Sequence, residues 1–313
     1  MRPKTQGLVA APFTPTRADG SLNLELVPDY VAWLRGNGVV GAFVGGTTGE
    51  GMSLTVDERL RLAEAWRRAA SADFKVIVHV GHTTLADCCQ MAAHAEEIGA
   101  DAIGCLAPFF FRPGSVEELV SWCEAVAAAA PSVPFYYYHM PSMTRVEFPM
   151  ADFIRVASSR IPTLAGVKFT FEDLTDFKST VEFANNGYDV LFGRDELLLS
   201  GLRAGAKGAV GSTYNFAAPL YLDLIRAFAG GDQQRAEERQ QTAVRMIDAA
   251  VRAGGSAVAN FKALMAGLGL DCGPVRPPLR GPTSAQLTAL QSTLRELGFE
   301  SFCCRRGTQL SNP

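Results

Sequence analysis

The sequence lacks the features that mark membrane, secreted and nucleic-acid-binding proteins. No stretch of its 313 residues approaches the roughly 18 consecutive apolar residues of a membrane span. The N-terminus shows no signal-peptide pattern, because Pro12 and Pro15 break its short apolar run. The formal net charge is −3, so there is no basic field that would hold nucleic acid or an anionic membrane. We therefore expect no nucleic-acid partner and no membrane partner.

The cysteines form no recognisable framework. Their number, seven, is odd, and no two of them have the Cys-x-x-Cys spacing. Cys88 and Cys89 lie in a helical pattern, whereas Cys303 and Cys304 lie in a polar tail. A disulfide scaffold or a zinc cage is therefore not expected, and reduced cysteines in a cytoplasmic protein fit this pattern.

Eight short β-like runs recur along the chain, separated by helical patterns. They start near positions 8, 39, 75, 102, 133, 164, 189 and 208, and most are nearly continuous in apolar residues, as strands covered on both faces are. Strand–helix alternation repeated eight times predicts an α/β fold, the closed parallel (β/α)8 TIM barrel. A doubly wound open sheet is the alternative, although eight regular units are many for it.

The residues after the eighth strand read as helical. We predict a barrel domain over residues 1–220, a C-terminal helical extension over 221–300 packed on the barrel, and a mobile tail over 301–313. Glycines in GAKGAVG, before and within the eighth strand, could also suggest a phosphate site, but they more simply turn the chain into that strand.

In such a barrel the catalytic groups come from the C-terminal ends of the strands. The second strand ends in GGTTGEG, where backbone N–H groups, Thr47 and Thr48 could bind a small anion. An ordinary strand-to-helix turn would use the same residue types. The sequence of this loop alone does not decide between an anion-binding site and an ordinary turn.

The fifth strand ends in three tyrosines and a histidine. Alternation places Tyr136 and Tyr138 on one face and Tyr137 and His139 on the other. Aromatic residues favour strands, so the run is mainly a packing signal. Tyr138 stands nearest the mouth of the barrel and could offer a phenolic proton.

The sixth strand contains a lysine within an apolar run, LAGVKFT. If Val167 and Phe169 face the helices, Lys168 points into the barrel beside Gly166, which would leave room around the amine. Burial lowers the pKa of a lysine and can produce a neutral amine near pH 7, which attacks ketones to form a Schiff base. The alternative is a lysine at a strand end whose amine reaches solvent.

The seventh and eighth strands end in FGRDE and GSTYN. Asp195, Glu196, Ser212 and Thr213 would lie over the same mouth, where carboxylates and hydroxyls suit a polyol such as an open-chain sugar. The two acidic residues could instead simply begin the next helix. The coincidence of polar groups at successive strand ends favours a site.

Together these motifs resemble the dihydrodipicolinate synthase and N-acetylneuraminate lyase family of barrel aldolases. The resemblance rests on GGTTGE at 45–50, the tyrosine of YHMP and the lysine of GVKFT, and it extends from about residue 7 to about residue 300. It implies that Lys168 is the Schiff-base lysine and Tyr138 the proton donor and acceptor. Thr47 and Thr48 would hold the carboxylate of the pyruvate portion.

Within the family, APFFF, HMPSMT, FGRDE and GAVGSTYN resemble the lyase branch. The resemblance then implies sugar contacts from five residues: Thr170, Gly193, Asp195, Glu196 and Ser212. The synthase branch would need a tyrosine near Phe110 and an arginine near Met143, which this chain lacks at the matched positions. Arg145 is a departure from the lyase pattern at the mouth.

The implied reaction is the reversible cleavage of the sialic acid N-acetylneuraminate to N-acetylmannosamine and pyruvate. Lys168 would form the imine, and Tyr138, through the hydroxyl of Thr48, would move the proton at the C4 oxygen. The resemblance implies no cofactor, no metal and a homotetramer.

Other functions remain open on the sequence alone. A metal-dependent aldolase could use His79, His82 and His139, although the first two fall on opposite faces of the third strand. A 2-keto-3-deoxy sugar acid aldolase or a dihydrodipicolinate synthase-like enzyme would keep the same lysine. A non-enzymatic protein that binds a keto acid would need neither the lysine nor the tyrosine to react.

Overall fold

The computed structural model describes residues 4–185 and 187–307, and its centre is a closed barrel of eight parallel strands in sequential order. The strands are β1 (Gly7–Ala10), β2 (Gly41–Val44), β3 (Lys75–His79), β4 (Ala102–Leu106), β5 (Phe135–His139), β6 (Leu164–Phe169), β7 (Asp189–Phe192) and β8 (Gly208–Gly211). Pairing of β1 with β8 closes the barrel, so the predicted (β/α)8 fold is confirmed and the open sheet is wrong.

Helices surround the barrel in the predicted alternation. They are α1 (Val27–Gly36), α2 (Val56–Ala69), α3 (Leu85–Glu97), α4 (Val116–Ala128), the one-turn α5 (Pro141–Thr144), α6 (Met150–Ala157), α7 (Leu174–Ala184), α8 (Leu198–Arg203) and α9 (Tyr214–Ala229). The C-terminal extension contains α10 (Gln233–Arg252), α11 (Ala257–Gly267) and α12 (Ser284–Glu296). No helix among residues 4–185 and 187–307 is long and apolar enough to cross a membrane.

The predicted domain boundaries at 220 and 300 stay predictions. Residue 220 lies inside α9, three residues after Ala217, whose backbone is not helical (φ −132°, ψ 23°), so the predicted boundary does not coincide with an end of this helix. The start of the predicted tail is packed: Cys304 is buried, and its N–H donates to the carbonyl of Phe216 at 2.7 Å. Residues 308–313 lie outside the described residues.

The strands separate two apolar layers. Side chains that point outward, such as Val167 and Phe169, join the large core between strands and helices. Side chains that point inward, such as Phe43, Tyr138 and Leu191, fill the barrel itself. Tyr136 and Tyr138 face inward and Tyr137 faces outward, as their alternation predicts.

A bulge in β6 decides which way the lysine points. Phe135 pairs with Leu164, but the next residue, Tyr136, pairs with Gly166, so β6 contains one extra residue at this point. Leu164 and Lys168 are four residues apart and would share a face in a regular strand. The extra residue moves them to opposite faces, so that Leu164 packs outward while Lys168 points inward.

Gly166, in this bulge, lies unusually close to the neighbouring strand. A Cβ at this position would lie 1.8 Å from the carbonyl oxygen of Asp189 in β7. The glycine therefore allows β6 and β7 to approach each other. The expectation that it also leaves room around the amine stays a prediction.

We predict that Gly166→Ala destabilises the fold, because the added Cβ collides with the backbone of a neighbouring strand. The expected decrease in the free energy of unfolding is ~1–3 kcal/mol, measured by urea denaturation with circular dichroism as the signal. Gly281→Ala is the control, since a Cβ there meets no atom within 4 Å. Equal stability of the two variants would contradict the bulge geometry.

Candidate active site

A cavity of about 280 Å³ opens at the C-terminal ends of the strands. Its lining includes all nine residues that the sequence analysis selected: Thr47, Thr48, Tyr138, Lys168, Thr170, Gly193, Asp195, Glu196 and Ser212. They come from loops or strand ends at β2, β5, β6, β7 and β8. The parallel order of the barrel thus brings distant segments of the chain to one mouth.

Lys168 lies at the bottom of this cavity with an exposed fraction of only 3%. Its Nζ is 3.8 Å from the ring centroid of Tyr138 and 3.9 Å from that of Phe43. Burial lowers the pKa of Lys168 from 10.5 to about 7, while the negative charge of Asp195 acts in the opposite direction. Near pH 7 a large share of the amine is therefore neutral and nucleophilic.

The phenol of Tyr138 lies among polar groups. Its oxygen is 3.3 Å from the hydroxyl of Thr47 and 2.9 Å from the sulfur of Met140. Burial raises the pKa of Tyr138 to about 12, although the neighbouring hydroxyls of Thr47 and Thr170 act to lower it. The hydroxyl at this distance belongs to Thr47, whereas the sequence analysis expected Thr48 to be the neighbour of Tyr138.

The loop after β2 presents both threonines to the cavity. Thr48 is 7% exposed, and the loop is fixed from the barrel side because the Thr14 hydroxyl donates to the carbonyl of Gly49 at 2.5 Å. Backbone and hydroxyl donors in such a tight loop suit a small carboxylate.

Asp195, at the start of the loop after β7, is a buried carboxyl held by two donors. Its Oδ2 accepts from the backbone N–H of Thr213 at 2.9 Å and from its hydroxyl at 2.6 Å. Burial raises the pKa of Asp195 to about 6, and the bonds from Thr213 oppose the rise. The amide of Gln240 in α10 also donates to the backbone oxygen of Asp195 at 3.1 Å. Thr213 therefore fixes the carboxyl of Asp195, and Gln240 of the extension fixes its backbone.

Arg194 lies between two carboxylates at the rim, a role that the sequence analysis missed. Its Nη2 is 2.8 Å from Glu196 and 2.6 Å from Glu172. The guanidinium therefore holds Glu196 in place and neutralises part of the negative charge there. The only sequence signal was its position inside FGRDE, among residues already selected.

Thr170, Gly193 and Ser212 complete the polar side. A Cβ on Gly193 would lie 2.0 Å from the hydroxyl oxygen of Thr170, so close approach of β6 and β7 explains this glycine. Ser212 lines the cavity after β8. Arg145 is exposed and does not line the cavity, whereas Met143 does.

The opposite wall is apolar and comes from the extension. Ile247, Val251, Val258 and Phe261 belong to α10 and α11 or the ends of these helices, and they line the same cavity. Sequence reasoning missed them because it searched only the strand ends. Their helical periodicity indicates a packed face but not the surface on which that face packs.

The three histidines considered for a metal site do not converge. His79 is buried beside Arg59, with its Nδ1 3.0 Å from the carbonyl of Gly45. His139 contacts the rings of Phe169 and Phe171 on the outer side of the barrel. Within residues 4–185 and 187–307, no group of three or more His, Cys, Asp or Glu side chains could hold a metal ion.

Comparisons with known proteins agree on one family for this chain. A family model described as the dihydrodipicolinate synthetase family matches residues 4–297. N-acetylneuraminate lyase from Rattus norvegicus is 40% identical over 303 residues, which cover 96% of this chain and 94% of that protein.

Solved structures of relatives agree with this match. The N-acetylneuraminate lyase of Proteus mirabilis has a TM-score of 0.91 at 40% identity, covering 95% of this chain and 100% of its own. The sialic acid aldolase of Aliivibrio salmonicida has a TM-score of 0.91 at 38% identity, covering 95% and 98%.

We predict that Lys168 reacts with a small keto acid in a strongly pH-dependent way. With a pKa of about 7, imine formation should be about tenfold slower at pH 6 than at pH 8, measured as initial rates after borohydride reduction and mass analysis. Asp195→Asn removes the charge that raises the pKa of Lys168, so the pH profile of imine formation in this variant should move to lower pH. The shift should be clearest above pH 6, where Asp195 is ionised.

Glu182→Gln, in an exposed ion pair of α7, is the control for this shift and should leave the profile unchanged. A movement of the Asp195→Asn profile to higher pH would contradict the sign of the coupling.

Proposed function

The chain belongs to the dihydrodipicolinate synthetase family, and from this premise we propose that it is a Schiff-base aldolase that cleaves N-acetylneuraminate reversibly to N-acetylmannosamine and pyruvate. The observation that carries the proposal is a buried amine of lowered pKa, Lys168, beside a phenol in a cavity with one polar wall. The named lyases at about 40% identity over nearly the whole chain support the choice of substrate.

The lysine provides the electron sink for bond cleavage. Its neutral Nζ adds to the C2 ketone of the open-chain sugar acid, and loss of water gives a protonated imine. When the C3–C4 bond breaks, its electron pair moves toward the imine nitrogen and leaves an enamine. Protonation at C3 and hydrolysis then release pyruvate and restore Lys168. No metal or organic cofactor is required for these steps.

In this proposal Tyr138 transfers the proton of the C4 hydroxyl. Cleavage converts the C4 hydroxyl to an aldehyde, so its proton must leave as the C3–C4 bond breaks. Because the pKa of Tyr138 is raised to about 12, its resting form is the neutral phenol. It therefore relays the C4 proton, accepting it while passing its own to the neighbouring hydroxyl of Thr47 at 3.3 Å, and the proton is finally taken up at C3 of the enamine.

The remaining polar residues orient the substrate. In this proposal Thr47 and Thr48 hold the carboxylate of the pyruvate portion. Thr170, Gly193, Asp195, Glu196 and Ser212 contact the sugar chain. A rigid set of contacts matters here, because a misplacement of about 1 Å can reduce a rate ~100-fold. Contacts from Arg194 and Thr213 support that rigidity.

The homotetramer and the cytoplasmic location stay predictions that rest on the family resemblance and the sequence. One structural feature supports an assembly. Phe110 and Phe111, after β4, expose 75% and 85% of their surface, and apolar surface of this kind is often covered by a partner.

The proposed reaction is tested by incubating the purified protein with N-acetylneuraminate and identifying both products. N-acetylmannosamine and pyruvate are expected, whereas another aldehyde from another sugar acid would identify a different aldolase of the family. Borohydride in the presence of pyruvate should label Lys168, and Lys168→Ala should abolish the label. Lys178→Ala, which changes an exposed lysine in α7, should retain it. Labelling that persists in Lys168→Ala would overturn the assignment.

Tyr138→Phe should slow cleavage by about 10²- to 10⁴-fold, because it removes the proton-transfer group but keeps the ring beside Lys168. Formation of the pyruvate adduct should remain measurable in this variant. The neighbouring Tyr137 points into the outer core, so Tyr137→Phe is the matched control and should retain most activity. Near-normal turnover in Tyr138→Phe would show that another group moves the proton.

A further inference from the structure

A buried ion pair lies behind the threonine loop, outside the cavity. Lys262 Nζ in α11 is 2.8 Å from Glu50 Oε1, and both side chains are only 1% exposed. Lys262 also donates to the carbonyl of Pro274 at 2.8 Å, and the backbone N–H of Arg276 donates to Glu50 Oε2 at 2.7 Å. Both oxygens of the carboxylate are thus bound by the C-terminal extension.

The backbone of Glu50 has an unusual conformation. Its φ of 55° lies in the left-handed region, which a residue with a side chain adopts rarely. Such conformations persist where surrounding contacts over-determine them. Here the contacts from Lys262 and Arg276 are the ones that fix the side chain.

Glu50 is directly linked to the threonines. Its N–H donates to the carbonyl of Thr47 at 3.0 Å, closing a tight turn over residues 47–50. Thr47 and Thr48 face the cavity, whereas the Glu50 carboxylate points away from it toward α11 and the loop that contains Pro274 and Arg276. A displacement of Glu50 would therefore move the two hydroxyls at the other side of the turn.

We propose that Glu50 and Lys262 are positioning residues for the keto-acid carboxylate, and that through them the C-terminal extension forms part of this subsite. The inference rests on the proposed function, in which Thr47 and Thr48 bind the carboxylate. Neither charged group touches substrate. Their effect is to keep the turn in the one conformation that directs both hydroxyls into the cavity.

The test needs a variant that keeps the protein folded. Removing one partner leaves an uncompensated buried charge, which is strongly destabilising, whereas replacing both by neutral groups of similar size is often tolerated. The informative variant is therefore Glu50→Gln/Lys262→Met, in which the amide can still accept from the N–H of Arg276. The matched control is Glu182→Gln/Lys178→Met, which removes an exposed ion pair from α7.

Two readouts separate positioning from general stability. In the first, the pyruvate concentration for half-maximal borohydride labelling of Lys168 should rise about tenfold in Glu50→Gln/Lys262→Met. The labelling at saturating pyruvate should stay unchanged. In the second, hydrogen exchange of a peptide covering residues 45–51 should become faster, while peptides from the barrel strands exchange as before. The control variant should match the unsubstituted protein in both.

Unchanged half-saturation and unchanged loop exchange in a folded double variant would overturn the inference. Faster exchange throughout the protein, with unchanged half-saturation, would also overturn it, since the pair would then serve stability alone. Failure of the unsubstituted protein to label with pyruvate would overturn the proposed function instead. In that case hydrogen exchange of the loop decides whether the pair positions it.

Discussion

The site depends on the removal of one amine from water. Lowering the pKa of Lys168 from 10.5 to about 7 corresponds to ~5 kcal/mol by which its charged form is disfavoured. The aromatic rings of Phe43 and Tyr138 provide this environment, since they shield the amine from water but carry no negative charge. Asp195 acts against the shift, since its own pKa of about 6 leaves it mostly ionised near pH 7. The amine is thereby held near the balance between its two forms.

Much of the fold could be predicted because buried parallel strands leave a simple signal. Each of the eight apolar runs became a strand that begins within two residues of its expected start. The inward direction of Lys168 was also predicted, from the outward preference of Val167 and Phe169. The bulge at residues 164–166 could not be predicted, since every residue in LAGV suits either face of the strand. Its evidence lies in the pairing with β5, which is a long-range property.

The site, too, has residues that the local sequence predicts and residues that depend on long-range contacts. Residues at strand ends were identified because the barrel topology fixes where those ends meet, and all nine line one cavity. The hydroxyl next to Tyr138 was assigned to Thr48 instead of Thr47, because adjacent loop residues have no fixed alternation. The apolar wall from α10 and α11 was missed, since the docking of a helical extension depends on the complementary surfaces of both parts. Arg194 was overlooked because its importance comes from its two carboxylate partners.

The contribution of α10 and α11 to the cavity has a consequence for how this architecture can change. One wall of the cavity consists of apolar side chains on a segment that follows the last strand, and its chemistry is independent of the lysine and the phenol. Substitutions there would change the shape of the cavity, while Lys168 and Tyr138 remain untouched. The polar residues at the strand ends and the apolar wall are thus encoded in separate stretches of the chain, so that either can change without altering the other.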